Sequence, residues 1–411
     1  MAVPPVLSDL VSAPNAPNRS GRGREDRRSK FYEVSDNLRP TGLRREAVLL
    51  QDPRVAPRAE SGRRFETRAE SALSRKSGWR RCPMGPCRSR PAIRERRVRT
   101  PRQGPRHPPS MTADRDVDRA RGALLGTFTG DALGMPFESA PPAAVPERLE
   151  MLEARLGRGT YTDDTQMAIA LAESLLECGG VDEEHLGRTF LAAYDPRRGY
   201  GSGTRAVMAL IREGVPVADA AVRAFNGDGS LGNGAAMRVA PVAVRYVHEH
   251  EALLDAARRS ARVTHAHPVG IDAAVVQAAA VGAALRGEDA LRAACATATT
   301  PQVRRGLTAA GLLLAELPPP DTVAAALGNG STGHESVPAA VYAAAAYEHF
   351  EQAVSFAVRC GGDTDTIGAM AGAITGARTG ASAIPSRWLD ALEDGDKGRS
   401  YVERLAEQLA S

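Results

Sequence analysis

The sequence predicts an all-α fold for residues 111–411, organised as a single compact multi-helix domain. Apolar residues recur every three to four positions through most of this region, as they do on the buried face of a helix. In DDTQMAIALAESLLECGG (163–180) the apolar stripe is followed by Gly179 and Gly180, and glycine commonly ends a helix. The alternating pattern of a strand is almost absent, so helices account for the whole domain.

The same spacing, interrupted by Gly, Pro and capping residues, places the individual helices along the chain. The first begins soon after Met111, in MTADRDVDRARGALLG, which has the features of a domain start. Glycine is dense in the loops RRGYGSGT (197–204) and FNGDGSLGNGAAMR (225–238), as the backbone requires where it turns sharply or approaches a ligand closely. The predicted helices are at about 115–134, 165–177, 183–194, 203–213, 217–225, 235–247, 251–263, 269–286, 301–316, 337–347, 350–359, 366–380 and 399–410.

Residues 1–110 differ chemically from the rest of the chain. They carry 26 Lys and Arg against 11 Asp and Glu, a net charge of +15, whereas residues 111–411 carry 27 against 38, a net charge of −11. The segment is rich in Arg, Pro, Ser and Gly without an apolar period, which predicts a disordered arm. Aromatic residues are scarce there and no nucleic-acid-binding fold is visible, so nucleic acid is not an expected partner. The chain has three lysines against 50 arginines, as expected from a GC-rich genome, and residues 1–110 are also interpreted as translated upstream sequence ahead of a natural start at Met111.

Composition also indicates the cellular compartment in which the protein is expected. No run of 18 apolar residues predicts a membrane span, and the N-terminus lacks the basic start and apolar centre of a secretory signal. The five cysteines are too scattered for a disulfide framework or a zinc ribbon. We therefore expect a cytoplasmic protein. The sequence leaves the oligomeric state open, with a monomer preferred.

Two acidic clusters open helices at distant points of the chain. YTDDTQM contains Asp163 and Asp164, and GGDTDT (361–366) contains Asp363 and Asp365. Either cluster alone is explained by N-capping and by the helix dipole, which favours acidic side chains by roughly 0.3 to 1 kcal/mol per charge. Four carboxylates facing one another would repel unless cations lay between them, and ligand sets made only of oxygen select hard divalent ions. The pair of clusters therefore favours a two-metal site.

The order of the motifs resembles the signature of the ADP-ribosylglycohydrolase family. Between residues 118 and 380 the chain contains RGALLGTFTGDALGMPFE, TDDTQMA, GYGSGT, FNGDGSLGNGAAMRVAPV, THAHPVGIDAAVVQAAAV and GGDTDT, in family order. FNGDGS and GNGAAMR look most like the branch that cleaves serine-linked ADP-ribose and O-acetyl-ADP-ribose. The resemblance implies an all-α enzyme that hydrolyses the C1″ glycosidic bond of ADP-ribosylated proteins or other ADP-ribose conjugates, with two Mg²⁺ or Mn²⁺ ions as cofactors.

The resemblance also implies roles for individual residues. Glu138, at the end of GMPFE, matches the acid/base carboxylate beside the metals, and Asp365 matches the bridge between them. Asp164 is assigned to the catalytic set as well as to the ligands. The expected metal ligands are Thr162, Asp163, Asp164, Asp363, Asp365 and Thr366. The expected substrate-binding residues are Phe225, which would stack on adenine, with Gly229, Ser230, Leu231, Gly232, Asn233, His265 and Gly201.

One departure from the family pattern leaves the linkage open. Leu231 stands where serine-directed relatives usually carry an aromatic residue beside the distal ribose. The alternatives are an arginine-linked ADP-ribosyl hydrolase of the nitrogenase-regulating type and a non-catalytic ADP-ribose-binding relative, although the intact acidic motifs and Glu138 argue against the latter. His265 and His267 have H-x-H spacing, but without a third ligand nearby a hydrogen-bonded pair at a helix end is favoured over zinc. Asp131, close to Glu138 in the sequence, is interpreted as a structural hydrogen-bond acceptor, with a supporting role next to the catalytic groups as the alternative.

Overall fold

A computed structural model describes residues 111–411, and the predicted arm at 1–110 lies outside the described residues. The prediction of an all-α domain is confirmed: within 111–411 there are sixteen α-helices and no strand, only an isolated bridge between Gly232 and Thr332. The helices are α1 (Met111–Gly134), α2 (Asp163–Cys178), α3 (Glu183–Ala193), α4 (Ser202–Arg212), α5 (Val217–Arg223), α6 (Ala240–Arg245), α7 (His250–Arg262), α8 (Pro268–Arg286), α9 (Ala290–Thr297), α10 (Pro301–Leu313), α11 (Pro320–Leu327), α12 (Gly333–Ala346), α13 (Phe350–Arg359), α14 (Thr364–Thr379), α15 (Ser386–Leu389) and α16 (Arg399–Leu409).

The centre of the fold is the contact between α1 and α14, whose backbones touch along most of their length. Both helices carry glycine at every fourth position on the facing side, so no side chain separates them. A methyl group at Gly126 would overlap the carbonyl oxygen of Gly372, and a methyl group at Gly372 would overlap the carbonyl oxygen of Gly126. The facing glycines are Gly122, Gly126, Gly130 and Gly134 on α1 and Gly368, Gly372 and Gly376 on α14.

Several helix boundaries differ from the prediction. The helix expected at 235–247 is wrong in its first turns: residues 234–238 form turns, and α6 begins only at Ala240. Pro241 explains the late start, because proline lacks an N–H and fits only the first turn of a helix. The short helices α9, α11 and α15 were not predicted, since eight residues or fewer give little periodic signal.

Helix α8 is long and apolar enough to cross a membrane by length and composition, although Asp272 and Gln277 interrupt its apolar sequence. In the structure 89% of its most apolar 18-residue segment is buried by the surrounding helices. Its apolar character is therefore that of a core helix.

The α1–α14 pair also positions the segment that follows α1 and the segment that precedes α14. The carbonyl oxygen of Gly134, at the end of α1, accepts a hydrogen bond from Thr364 Oγ1 at 2.8 Å, at the start of α14. Next to it, Ser139 N–H donates to the Gly362 carbonyl at 2.7 Å, and Gly362 N–H donates to the Ala140 carbonyl at 2.8 Å. Glu138 is thereby held beside the N-terminus of α14.

Candidate active site

Asp131, a buried residue of α1, fixes the start of α2. Its carboxylate accepts the N–H of Thr162 at 3.0 Å, the N–H of Thr165 at 3.1 Å and the hydroxyl of Thr165 at 2.6 Å. This is the structural acceptor role predicted for it. Burial raises the pKa of Asp131 to about 6, and its hydrogen bonds from the two threonines oppose that rise. The TDDT motif is consequently anchored to α1 by a side chain that does not itself line the cavity.

The two acidic clusters predicted from sequence meet in the fold. Thr366 Oγ1, in the first turn of α14, lies 3.4 Å from Asp164 Oδ2, in the first turn of α2, although the residues are 202 positions apart. Thr162, the N-cap of α2, donates its hydroxyl to the same oxygen at 3.1 Å. The other oxygen of Asp164, Oδ1, is buried without a hydrogen-bond partner in the described part of the chain. A buried carboxylate oxygen that lacks a hydrogen-bond donor is energetically costly unless it coordinates a cation.

Mutual repulsion contributes to the raised pKa values of the carboxylates. Burial, then Asp131 and other nearby acids, raises the pKa of Asp163 to about 8. Burial and neighbouring aspartates also raise the pKa of Asp164 and of Asp365 well above the ordinary value. Both clusters contribute to the repulsion, since Asp164 and Asp363 are the acids that act most strongly on Asp365.

Asp363 connects this acidic centre to the glycine-rich loop. Its Oδ2 accepts a hydrogen bond from Asn233 Nδ2 at 2.6 Å, and the same amide group donates to Ser336 Oγ at 3.1 Å. The backbone N–H of Asn233 donates to the Ser331 carbonyl at 3.0 Å. The loop at 229–234 therefore lies between the α14 N-terminus and the segment before α12.

Glu138 lies at the mouth of the site, where its side chain keeps 42% of its accessible surface. Its Oε2 is 4.0 Å from a guanidinium nitrogen of Arg155. Burial raises the pKa of Glu138, the Arg155 charge lowers it, and Asp363 raises it. Arg155 passes over Gly199, where a methyl group would overlap the guanidinium. Sequence reasoning missed Arg155, because it lies in a segment without a motif.

A cavity of about 610 Å³ joins these groups, and all the site residues predicted from sequence except Thr162 line it. Thr162 is fully buried behind Asp164. The predicted residues in the lining are Glu138, Asp163, Asp164, Gly201, Phe225, Gly229, Ser230, Leu231, Gly232, Asn233, His265, Asp363, Asp365 and Thr366. The cavity thus has an acidic end and an end formed by the glycine-rich loops.

The second end of the cavity contains the predicted adenine-stacking residue. Phe225 is 49% exposed and adopts a left-handed backbone conformation with φ of 53°, which is strained for a bulky residue. Its ring lies against Gly203, where a methyl group would overlap the ring edge. The exposed ring thus offers a flat apolar surface at the cavity rim.

The two histidines of THAHP have separate environments rather than a common ligand. His267 is the N-cap of α8, and its Nδ1 accepts the N–H of Val269 at 3.1 Å. His265 is buried, with its Nδ1 2.7 Å from Thr264 Oγ1. This agrees with the prediction of hydrogen-bonded histidines at a helix end.

Sequence reasoning also missed Ser331 and Thr332, which belong to the lining. They lie in GNGST (328–332), and Thr332 is paired with Gly232 through the isolated bridge. The glycine and asparagine content of GNGST is a loop signal of the same kind as the loop at 225–238.

A larger groove, of about 880 Å³, lies elsewhere, among α7, α8 and α9. Its charges are of mixed sign and its acids are largely satisfied. Asp272 accepts hydrogen bonds from the backbone and hydroxyls of Thr299 and Thr300, and Glu288 pairs with Arg286 at 2.7 Å. The smaller cavity, in which perturbed carboxylates converge on glycine-rich loops, is the better candidate for a site of chemistry.

The donor set of the smaller cavity suits hard divalent cations. Within residues 111–411, no three His, Cys, Asp or Glu side chains are gathered tightly enough to form a ready-made metal cage. The fit rests instead on aspartate and threonine oxygens together, on the partnerless Oδ1 of Asp164, and on carboxylates whose repulsion a cation would relieve.

Comparison with known proteins decides the family. The sequence profile of the ADP-ribosylglycohydrolase family matches residues 111–411. The chain belongs to the ADP-ribosylglycohydrolase family. It is similar to ADP-ribosylhydrolase ARH3 from Homo sapiens, with 34% identity over 72% of this chain and 94% of the relative, and from Mus musculus, with 33% identity over 72% and 92%.

Other relatives of this ADP-ribosylglycohydrolase include an uncharacterised protein of Archaeoglobus fulgidus, 35% identical over 71% of this chain and 96% of the relative. Among solved structures it resembles one titled ADP-ribosylglycohydrolase-related protein complex. That match has a TM-score of 0.61 and 34% identity over 72% of this chain and 98% of the other. The resemblance noted from sequence motifs is therefore confirmed.

Proposed function

We propose that this ADP-ribosylglycohydrolase hydrolyses the C1″ glycosidic bond of ADP-ribose conjugates in a reaction that depends on two divalent cations. The observation that carries the proposal is the meeting of the two acidic helix starts at one end of a single cavity, marked by the contact between Thr366 and Asp164. The resemblance of FNGDGS and GNGAAMR to the serine-directed branch favours serine-linked ADP-ribose or O-acetyl-ADP-ribose as the conjugate.

The proposed ligands of the cations are oxygens from both clusters. Mg²⁺ or Mn²⁺ ions, when bound, would neutralise the carboxylates, fix the 2″ and 3″ hydroxyls of the distal ribose and orient a water. The proposal assigns Thr162, Asp163, Asp164, Asp363, Asp365 and Thr366 to these ions, and the partnerless Oδ1 of Asp164 and the repulsion among the buried carboxylates support it.

Glu138 is the proposed acid and base. Burial raises the pKa of Glu138. In its protonated form the carboxyl donates its proton to the leaving oxygen as the bond from C1″ breaks. The carboxylate then accepts a proton from the water that adds to C1″, so the enzyme returns to its starting state. Burial is the main cause of this rise in pKa, Arg155 opposes it, and Asp363 adds to it.

The glycine-rich end of the cavity is the proposed binding site for the ADP portion. Backbone N–H groups of the loop at 229–234 suit a diphosphate, because glycine lets the backbone approach closely. Ser230 Oγ accepts the N–H of Gly232 at 3.1 Å, which braces this loop. Phe225 offers its exposed ring to adenine.

The linkage preference depends on the wall beside the distal ribose. Leu231 is 38% exposed in the cavity and supplies an aliphatic wall where an aromatic ring would stack. An arginine-linked conjugate is therefore the second candidate substrate. A binding protein without turnover is the third possibility, and the intact Glu138 and acidic clusters oppose it.

A panel assay tests the proposal. ADP-ribosyl-serine peptide, ADP-ribosyl-arginine and O-acetyl-ADP-ribose are incubated with the same enzyme in Mg²⁺ or Mn²⁺, and released ADP-ribose is quantified. We expect turnover of the serine or O-acetyl substrate and a loss of about 10²- to 10⁴-fold in kcat for Glu138→Gln, with cation binding retained. Failure to turn over any of the three conjugates while ADP-ribose still binds would favour the binding protein.

A further inference from the structure

His265 is a buried residue of the cavity lining whose Nε2 atom has no hydrogen-bond partner in the described part of the chain. The residue is 2% exposed, and its ring is enclosed by three glycines: Gly232 and Gly234 face Nε2, and Gly270 faces Cδ2. Nδ1 is occupied by Thr264, whereas Nε2 has no hydrogen-bond partner among residues 111–411. Since His265 belongs to the cavity lining, Nε2 is available to a ligand.

A chain of hydrogen bonds behind the ring begins at a fully buried arginine. Arg238 Nη2 donates to Thr264 Oγ1 at 2.9 Å, and Thr264 Oγ1 lies 2.7 Å from His265 Nδ1. The guanidinium also donates to the carbonyls of Gly234, in the pocket loop, at 3.1 Å and of Ser260, in α7, at 3.0 Å. Arg238 thus connects the loop on one side of His265 to the threonine on the other.

The hydrogen bonds from Arg238 through Thr264 to His265 allow only one arrangement of protons, because each group is limited in what it can donate or accept. A guanidinium only donates, so Thr264 Oγ1 accepts from Arg238. Thr264 is 1% exposed, and in the described part of the chain its hydroxyl hydrogen has one acceptor in reach, His265 Nδ1. If Nδ1 carried a proton, the threonine hydroxyl would be left as a buried donor without an acceptor, which is costly. Nδ1 therefore accepts, and the ring proton is on Nε2.

The environment also keeps the ring neutral. Burial and the nearby charge of Arg238 lower the pKa of His265 to about 3. Burial lowers the pKa of Arg238 to about 9, which leaves it a cation at neutral pH. The ring thus has one proton and no charge across the physiological range.

We propose that Arg238 and Thr264 are positioning residues that hold His265 as the Nε2–H tautomer, so that Nε2 donates a hydrogen bond to an oxygen of the ADP-ribose conjugate beside Gly232 and Gly234. The identity of the ligand rests on the proposed function, whereas the tautomer is a property of the free protein. The arrangement gives the pocket a donor of fixed direction that adds no positive charge near the acidic centre.

The test measures the tautomer and the affinity separately on the full-length chain. Long-range ¹H–¹⁵N correlation spectra of the histidine side chains distinguish the two neutral tautomers and the cation, and a His265→Gln sample assigns the signal. We compare wild type, Thr264→Val, which removes the hydroxyl but keeps the side-chain shape, and Thr264→Ser, which restores it. Calorimetry with free ADP-ribose in the presence of Mg²⁺ gives the affinity.

The expected result is an Nε2–H ring in wild type and Thr264→Ser, and a mixture of tautomers in Thr264→Val. Loss of a directed donor weakens ADP-ribose binding about five- to tenfold in Thr264→Val, whereas Thr264→Ser restores the wild-type affinity. A purely structural role for Thr264 would not change the tautomer. An Nδ1–H or cationic ring in wild type at pH 7 overturns the proposal, and this readout does not depend on the folding of either Thr264 variant. A wild-type Nε2–H ring in a protein that does not bind ADP-ribose confirms the tautomer but overturns the proposed ligand, and the panel assay of the three conjugates tests the proposed function separately.

Discussion

Thr366 Oγ1 lies 3.4 Å from Asp164 Oδ2, a distance longer than that of an ordinary hydroxyl hydrogen bond. The two residues open different helices, and each is buried with at least one further acidic side chain nearby. A fold that gathers carboxylates in this way is opposed by their repulsion in the absence of a counter-charge. We therefore expect the acidic centre to lower the stability of the cation-free protein and to favour cation binding. Both effects can be measured.

Asp365→Asn should stabilise the cation-free protein while abolishing activity. The substitution removes a charge that burial and neighbouring acids disfavour, and a gain of about 1 kcal/mol corresponds to a rise of about 2–4 °C in Tm. Thermal unfolding in EDTA and in Mg²⁺ checks this, with the exposed Asp396→Asn as control. Mg²⁺ should raise the Tm of wild type and of the control but not that of Asp365→Asn. A lower Tm for Asp365→Asn in EDTA contradicts the repulsion argument.

Arg155→Gln should shift the pH profile of kcat/KM to higher pH. The guanidinium lies 4.0 Å from Glu138 and lowers its pKa, so removing the charge lets the carboxyl keep its proton to higher pH. The limb of the profile that reports deprotonation of Glu138 moves to higher pH, because Glu138 stays protonated to higher pH. Arg158→Gln, an exposed residue of the same segment, is the matched control and should leave the profile unchanged. A downward shift for Arg155→Gln would refute the pairing.

Gly126→Ala should destabilise the fold by about 1–3 kcal/mol or more, because the added methyl group overlaps the Gly372 carbonyl and forces α1 away from α14. Urea unfolding monitored by circular dichroism gives the difference. Gly395→Ala is the control, since a methyl group there meets nothing within 4 Å. The two backbones are not in contact as described if both variants have wild-type stability.

The neutral state of His265 gives a stability prediction with a definite sign. Its folded-state pKa, about 3, is below the ordinary value of 6.5, so the unfolded chain binds a proton that the folded protein does not. Above about pH 6.5 His265 does not lower the free energy of unfolding. As the pH falls from 6.5 toward 3, the destabilisation that it causes grows. Between pH 7 and pH 5 it amounts to about 2 kcal/mol of unfolding free energy. His265→Gln should lack this loss, and denaturant titrations of both proteins at the two pH values in EDTA measure the difference. Equal losses in the two proteins would show that His265 is protonated in the fold.

Local signals in the sequence predicted the fold class and the two acidic clusters, whereas the other residues of the cavity lining were predicted from the resemblance to the ADP-ribosylglycohydrolase family. Apolar spacing identifies helices, and the motifs TDDT and GGDTDT carry their chemistry in adjacent residues. The closest helix pair was not predicted, although its signal is in the chain: glycine recurs every fourth residue in GALLGTFTGDALG and again in GAMAGAITGARTG. Two such stripes indicate two backbones in contact.

Other parts of the site depend on contacts that no local pattern encodes. Arg155 reaches Glu138 from a segment without a motif, and the bridge between Gly232 and Thr332 joins loops 100 residues apart. The proton on His265 follows only from Arg238 and Thr264 together. These features arise from tertiary packing, which sequence periodicity does not report.

The central claim is that cations held by the two acidic clusters are required for cleavage of an ADP-ribose conjugate. The most direct measurement is the release of free ADP-ribose from an ADP-ribosyl-serine peptide by EDTA-stripped enzyme, before and after Mg²⁺ or Mn²⁺ is added. The account predicts no turnover by the stripped enzyme and recovery on addition of the cation, with no recovery for Asp365→Ala. Full turnover by the stripped enzyme would contradict it.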